Sequence, residues 1–187
     1  MATAAVTIAA LKEGGITEMV VISFSGVAVF HSTKVAGDAF TEEIQDAMRR
    51  NYNMAIGFKT AEQVKIQAGL VWSRSKEKPV SVTVKGKDIM EGIPVTRSVT
   101  STEIAEILNK PFQSIEEGII HALEVCPPEL SADIYQTGIH ITGGGALLRG
   151  LKERLEHSLH LPIHIDNEPL LAVSKGIARA LREPKKF

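Results

Sequence analysis

The run Thr142-Gly143-Gly144-Gly145-Ala146-Leu147-Leu148 has the clearest capacity for chemistry in this sequence. Its three glycines stand between a stretch that reads as a strand, Gly138 to Thr142, and one that reads as a helix. Glycine permits positive backbone dihedrals and lets a flat ligand approach the main chain without Cβ interference. A following helix N-terminus offers unpaired N–H groups to an anionic ligand. A nucleotide suits such a turn, and a plain tight β-α turn fits the same residues. Neither a G-x-G-x-x-G pattern nor a P-loop lysine accompanies it.

Other reactive residue types lead nowhere comparable. Cys126 is the single cysteine, so no internal disulfide forms, and its neighbours Pro127 and Pro128 give no metal-ligand spacing. A reducing cytoplasm fits best. Ala132 to Tyr135 and the histidines His121, His140, His157, His160 and His164 show neither triad nor metal spacing. His140 and His164 are read as core-edge or solvent-facing strand residues. The formal net charge of −1 excludes a general field for nucleic acid or an acidic membrane. With 44% hydrophobic and 23% charged residues, the 187-residue chain has the balance of a folded globular protein.

The elements that must position the glycine run follow from periodicity. Ala4 to Leu11 reads as a buried strand rather than a secretion signal, since no basic leader precedes it and Lys12 and Glu13 end it. Met19 to Phe24 and Val27 to His31 are strands separated by a two-residue Ser25-Gly26 turn. Asp38 stands at a helix N-cap position, and Phe40, Ile44, Ala47 and Met48 recur at helical spacing. At the other end, Leu147, Leu148, Leu151, Leu155 and Leu159 mark one helix face, Leu161 to Asp166 a strand, and Leu170, Val173, Ile177 and Leu181 a last helix. Strands separated by single helices imply right-handed crossovers and a parallel sheet in this half.

Between these halves, roughly Asn51 to Thr100, the chain carries its own elements. Thr60 and Gln63 read as a capping box opening a helix that Gly69 ends, and Val80, Val82 and Val84 alternate as a strand before a turn around Lys85-Gly86-Lys87. Ser73 to Pro79 reads as a solvated polar loop. A second capping box, Thr100 with Glu103, opens a helix that Pro111 should break or kink, and a further helix runs to Cys126-Pro127-Pro128. The order β-β-β-α, an interruption, then β-α-β-α matches the ribonuclease-H-like core of actins, Hsp70 proteins and sugar kinases. The expected fold is therefore α/β, with residues 1–50 and 101–187 as core and 51–100 as a small inserted α+β subdomain.

Val125 to Gly150 closely resembles the adenosine-binding segment of the MreB-type bacterial actins. Ala36-Gly37-Asp38, Arg49-Arg50-Asn51-Tyr52, Thr60 to Lys65 and Thr102 to Ala105 fall in that family's order and at its distances. The resemblance implies that Gly143, Gly144, Gly145 and Ala146 pack on adenosine, and that Gly37 and Asp38 sit beside ribose and phosphates. It also implies that Glu62 and Lys65 close over sugar and base. Their i,i+3 spacing places both on one helix face, which equally suits a weak surface ion pair. Gly14, Gly15, Ile16 and Thr17, with Glu18, resemble the end of the family's second phosphate loop, but Leu11, Lys12 and Glu13 replace its aspartate, apolar residue and glycine. That aspartate helps hold magnesium in the family.

The resemblance implies ATP as ligand, with magnesium in the family, and a filament-forming role in organising cell-wall synthesis. Partners would be further copies or full-length relatives in filaments, and cell-shape and wall-synthesis proteins at the membrane. The first phosphate loop, the water-orienting glutamate and the membrane-inserting segments find no counterpart in the sequence. Phosphoryl transfer depends on positioning and charge stabilisation, so the family's slow ATPase activity and polymerisation are not expected of this chain alone. A cytoplasmic location follows, with membrane association through segments not seen here. An inert fragment and a phosphotransferase of the same fold, such as a sugar kinase, are the competing readings. Gly144→Val is expected to weaken nucleotide binding far more than Lys76→Ala on the exposed loop.

Overall fold

The computed structural model describes residues 5–10, 15–23, 26–74 and 78–182. Gly14, most of the expected Ser25-Gly26 turn and the middle of the Ser73 to Pro79 loop lie outside the described residues, except that Gly26 opens a strand.

Two sheets organise the chain. The larger has five strands in the order β3-β2-β1-β7-β8. β1 (Ala5–Ala10), β2 (Thr17–Ser23) and β3 (Gly26–Thr33) form an antiparallel meander, while β7 (Ile139–Gly143) and β8 (Ile163–Ile165) add in parallel beyond β1. This meets the expectation of a parallel second half. On β2 the period-two pattern sends Thr17, Met19 and Val21 into the core.

The smaller sheet, β4-β5-β6, is separate from the first. It joins β4 (Met54–Ala55), β5 (Ser81–Asp88) and β6 (Pro94–Thr100) in antiparallel fashion. The turn placed at Lys85-Gly86-Lys87 is instead the middle of β5, with Gly86 opposite Val95. Glycine is required there for close approach: a Cβ would stand 2.5 Å from the Ala55 carbonyl oxygen. The chain turns later, where Asp88 Oδ1 accepts from the amides of Met90 and Glu91.

Helices bind the two sheets. α1 (Gly37–Tyr52) buries Phe40, Thr41, Ile44, Ala47 and Met48. Its N-cap is Ala36, and Asp38 lies in the first turn rather than at the cap. α2 (Phe58–Ala68) likewise starts before the expected capping box, with Gly57 as N-cap. α3 (Ser101–Glu124) does have its box: Glu103 N–H donates to Thr100 Oγ1, and the Thr100 N–H to Glu103 Oε2.

Pro111 does not end α3, which continues through it for 24 residues in all. Proline removes one backbone donor. Burial of Leu108, Phe112, Ile115 and Ile119 along one side keeps the helix on the core through that gap. Phe112 stacks on Phe40 of α1 at 6.4 Å and lies under the Arg154 guanidinium at 4.5 Å.

α4 (Pro128–Thr137) was not expected; Pro128 opens it at the first helical position, where its missing N–H costs nothing. α5 (Leu151–Leu159) follows β7 only after a separate 3-10 turn, Gly144–Leu147, so Leu147 and Leu148 do not belong to its apolar face. α6 (Ala172–Arg182) buries none of its residues; Leu170 in the turn before it and Val173, Ile177 and Leu181 along it form an exposed stripe.

Candidate functional site

A cleft of about 920 Å³ lies where the large sheet, α1, α2 and α6 meet. One wall comes from the end of β7. Gly143 has φ +87 and ψ 178, a conformation that glycine alone adopts without strain. Its N–H donates to the Pro169 carbonyl at 2.8 Å, and the Thr142 hydroxyl donates to the same oxygen at 2.8 Å. These bonds turn the chain out of the sheet, so that Gly143, Gly144 and Gly145 line the cleft.

The expected ligand contact from a helix N-terminus takes another form. The glycines enter a four-residue 3-10 turn, and α5 begins only at Leu151. Gly144, where a valine is expected to collide with the base or force a forbidden dihedral, has no positive φ and meets no protein obstacle: a Cβ would stand 3.6 Å from Leu170 Cδ2. The conformational demand falls on Gly143.

The opposite wall is polar. Gly37 and Asp38 open α1, and Glu62 and Lys65 project from α2; all four line the cleft. Lys65 Nζ donates to the Gly37 carbonyl at 2.8 Å and Thr41 Oγ1 at 2.9 Å, and pairs with Glu62 Oε2 at 2.6 Å. Thr41 Oγ1 donates to the same Glu62 oxygen at 2.5 Å. Burial pushes the Glu62 carboxyl up, but hydrogen bonds from Lys65 and Thr41, with the lysine's charge, outweigh it and hold it below its ordinary value. With the Lys65 side chain 12% exposed and that of Glu62 36%, the pair is half-buried rather than a fully solvated surface pair.

Ile16 also lines the cleft, whereas Gly15, Thr17 and Ala146 do not. Thr17 is buried, its hydroxyl donating to the Val35 carbonyl at 2.8 Å and holding β2 against the approach to α1. Ala146 is buried in the core behind the glycines. His140 and His164 are exposed neighbours on β7 and β8, their rings 4.9 Å apart. Partial desolvation of the ring, with the charge of His164, lowers the His140 pKa.

Sequence reasoning missed Thr41 and the apolar wall of Phe58, Ile66, Leu147, Leu170, Val173 and Ile177. Thr41 had a signal: it is a polar residue adjoining the apolar positions of α1, and a buried hydroxyl needs a partner. Of the wall, the Leu170-Val173-Ile177 stripe is legible as one helix face, but no local signal says that it meets Phe58, Ile66 and Leu147 from other elements at a cleft.

Among the described residues no group of three or more His, Cys, Asp or Glu could hold a metal ion. No helix among them is long and apolar enough to cross a membrane.

The MreB/Mbl protein family model matches residues 4–187. The cell shape-determining protein MreB of Escherichia coli K12 is 39% identical over 168 residues, covering 90% of this chain and 48% of that protein. MreB5 of Spiroplasma citri bound to ADP superimposes with a TM-score of 0.93 at 35% identity, covering 98% of this chain and 55% of the other. Its AMPPNP complex superimposes with a TM-score of 0.92, again at 35% identity, over 98% of this chain and 54% of that one. This chain thus spans about half the length of the relatives it matches. Its fold is that of the actin-like ATPases, and the chain belongs to the MreB/Mbl family.

Proposed function

We propose that this chain supplies one half of an adenine-nucleotide site in an actin-like, filament-forming protein that determines cell shape. The observation that carries the reading is the cleft itself, with a glycine turn on one wall and the Gly37-Asp38 and Glu62-Lys65 groups on the other. Its volume of about 920 Å³ lies in the range that holds small ligands and cofactors. The ADP and AMPPNP complexes of the Spiroplasma relative support the ligand class.

In this reading Gly143, Gly144 and Gly145 receive the flat base, Gly37 and Asp38 face ribose and phosphates, and Ile16 borders the phosphate end. Thr17 and Ala146 serve behind the walls. Magnesium is commonly held by one or two carboxylates together with substrate phosphates. Asp38 is one cleft carboxylate on the phosphate side, which is compatible with a magnesium-bearing nucleotide but forms no metal site alone.

The inserted subdomain spans roughly 51–100, and residues 1–50 and 101–187 form the core around it. Self-association in filaments, contacts with wall-synthesis proteins, and a cytoplasmic place next to the membrane are the family roles proposed for the whole protein. The exposed stripe Leu170, Val173, Ile177 and Leu181 suits cover by the remainder of the family fold, given that the chain spans about half of its relatives.

Isothermal titration of the chain with ATP and with GTP tests the ligand. Saturable ATP binding that Gly143→Val abolishes is expected; no heat with either nucleotide would reject the reading. Phosphate release and light scattering should stay at background without the other half, because half a cradle cannot position phosphoryl transfer.

A further inference from the structure

Thr41 stands at the centre of the polar wall, yet nothing in the functional reading assigns it a role. It is 0% exposed and belongs to α1, while the pair it touches belongs to α2. An ammonium has three protons to donate. Lys65 directs them at the Gly37 carbonyl, Thr41 Oγ1 and Glu62 Oε2, at 2.8, 2.9 and 2.6 Å. No Lys65 proton is left for a ligand while this arrangement holds.

The hydroxyl of Thr41 has one proton and lies 2.5 Å from Glu62 Oε2 and 3.0 Å from the Gly37 carbonyl. The shorter, charged acceptor takes it. Glu62 Oε2 thus receives two donors, and Oε1 has no protein partner among the described residues. Glu62 lines the cleft, and an ionised carboxylate only accepts. A ligand group docking there must donate, as a sugar hydroxyl does and a phosphate does not.

Resting on the adenine-nucleotide reading, we propose that Thr41 is a positioning residue, which with Lys65 fixes the Glu62 carboxylate so that its second oxygen accepts from the ligand's sugar hydroxyls. Loss of the Thr41 hydroxyl leaves Lys65 one acceptor short and releases Glu62 from one of its two anchors. The nearly isosteric Thr41→Val does this without opening a cavity.

Calorimetric affinities for ATP and 2′,3′-dideoxy-ATP, measured on the parent chain, Thr41→Val and Thr41→Ser, provide the test, with thermal melts to confirm folding. The parent should prefer ATP. Thr41→Val should weaken ATP binding roughly tenfold while changing dideoxy-ATP little, and Thr41→Ser should restore the preference. An equal loss for both ligands would mean a merely structural threonine and overturn the inference, as would an unchanged preference or a parent that binds both ligands alike. A parent that binds neither nucleotide overturns the nucleotide reading together with the inference, an outcome distinct from the other three.

Discussion

Tyr52 and Glu103 are 51 residues apart, and the tyrosine hydroxyl donates to Glu103 Oε1 at 2.6 Å. The bond ties the last residue of α1 to the first turn of α3, beside the two points where the chain enters and leaves the small sheet. Arg97 of β6 covers the Tyr52 ring at 4.0 Å. The capping carboxylate of α3 therefore also anchors the base of the β4-β5-β6 lobe.

Tyr52→Phe keeps the ring under Arg97 and removes only this bond. A hydrogen bond to a charged acceptor contributes about 1.5–3 kcal/mol, and partial exposure places this one near ~1.5 kcal/mol. Urea denaturation should show a lowered midpoint with an unchanged slope. A loss under ~0.5 kcal/mol would mean that water replaces the tyrosine at no net cost.

The same pair sets a pH window. Hydrogen bonds from Tyr52 and Thr100 hold the Glu103 carboxyl below its ordinary value of 4.5, so its contribution is present above 4.5 and lost as pH falls through the depressed native value. Burial, with the bond to Glu103, pushes the Tyr52 hydroxyl from 10.0 up to about 12. Its contribution is present below pH 10.0 and lost as pH rises through the native value of about 12. Stability measured by urea at pH 8 and pH 11 should fall more steeply for the parent than for Tyr52→Phe. Parallel losses would place the alkaline sensitivity elsewhere.

Arg154 and Glu116 form a buried, two-pronged pair at 3.0 and 2.7 Å, with Arg154 Nη1 also donating to the Val71 carbonyl at 2.9 Å. Removing one partner leaves an uncompensated buried charge, so Arg154→Ala should destabilise by about 3–5 kcal/mol. Arg154→Met combined with Glu116→Leu should recover most of that loss. A double variant no more stable than Arg154→Ala would refute the charge-burial explanation.

Gly143→Ala and Gly144→Ala separate conformation from space. At Gly143 any side chain must adopt φ +87, and strain of about 1–3 kcal/mol should lower the melting temperature. At Gly144 an added Cβ makes ordinary contact with Leu170, so the melt should hardly move. Equal melts for the two variants would argue against the Gly143 geometry.

Local and periodic interactions made much of this legible from sequence. The Thr100-Glu103 box, the apolar stripe of α1 and the strand-turn run at Gly143 each depend on residues within a few positions of one another. The order of elements and their family likeness came from the same short-range patterns. Where local signals competed, sequence misplaced features: Gly86 reads as a turn residue, but the Ala55 backbone passing beside it makes it a strand glycine.

Tertiary structure alone decided what depends on distant partners. Pro111 stays helical because one face of α3 is buried on both sides of it, and the Gly143 amide is directed by the Pro169 carbonyl. Thr41 meets Glu62 across 21 residues and Arg154 meets Glu116 across 38. Such pairings follow from the meeting of separate elements, and no periodicity along one element encodes which polar groups will face each other once burial has removed water as an alternative partner.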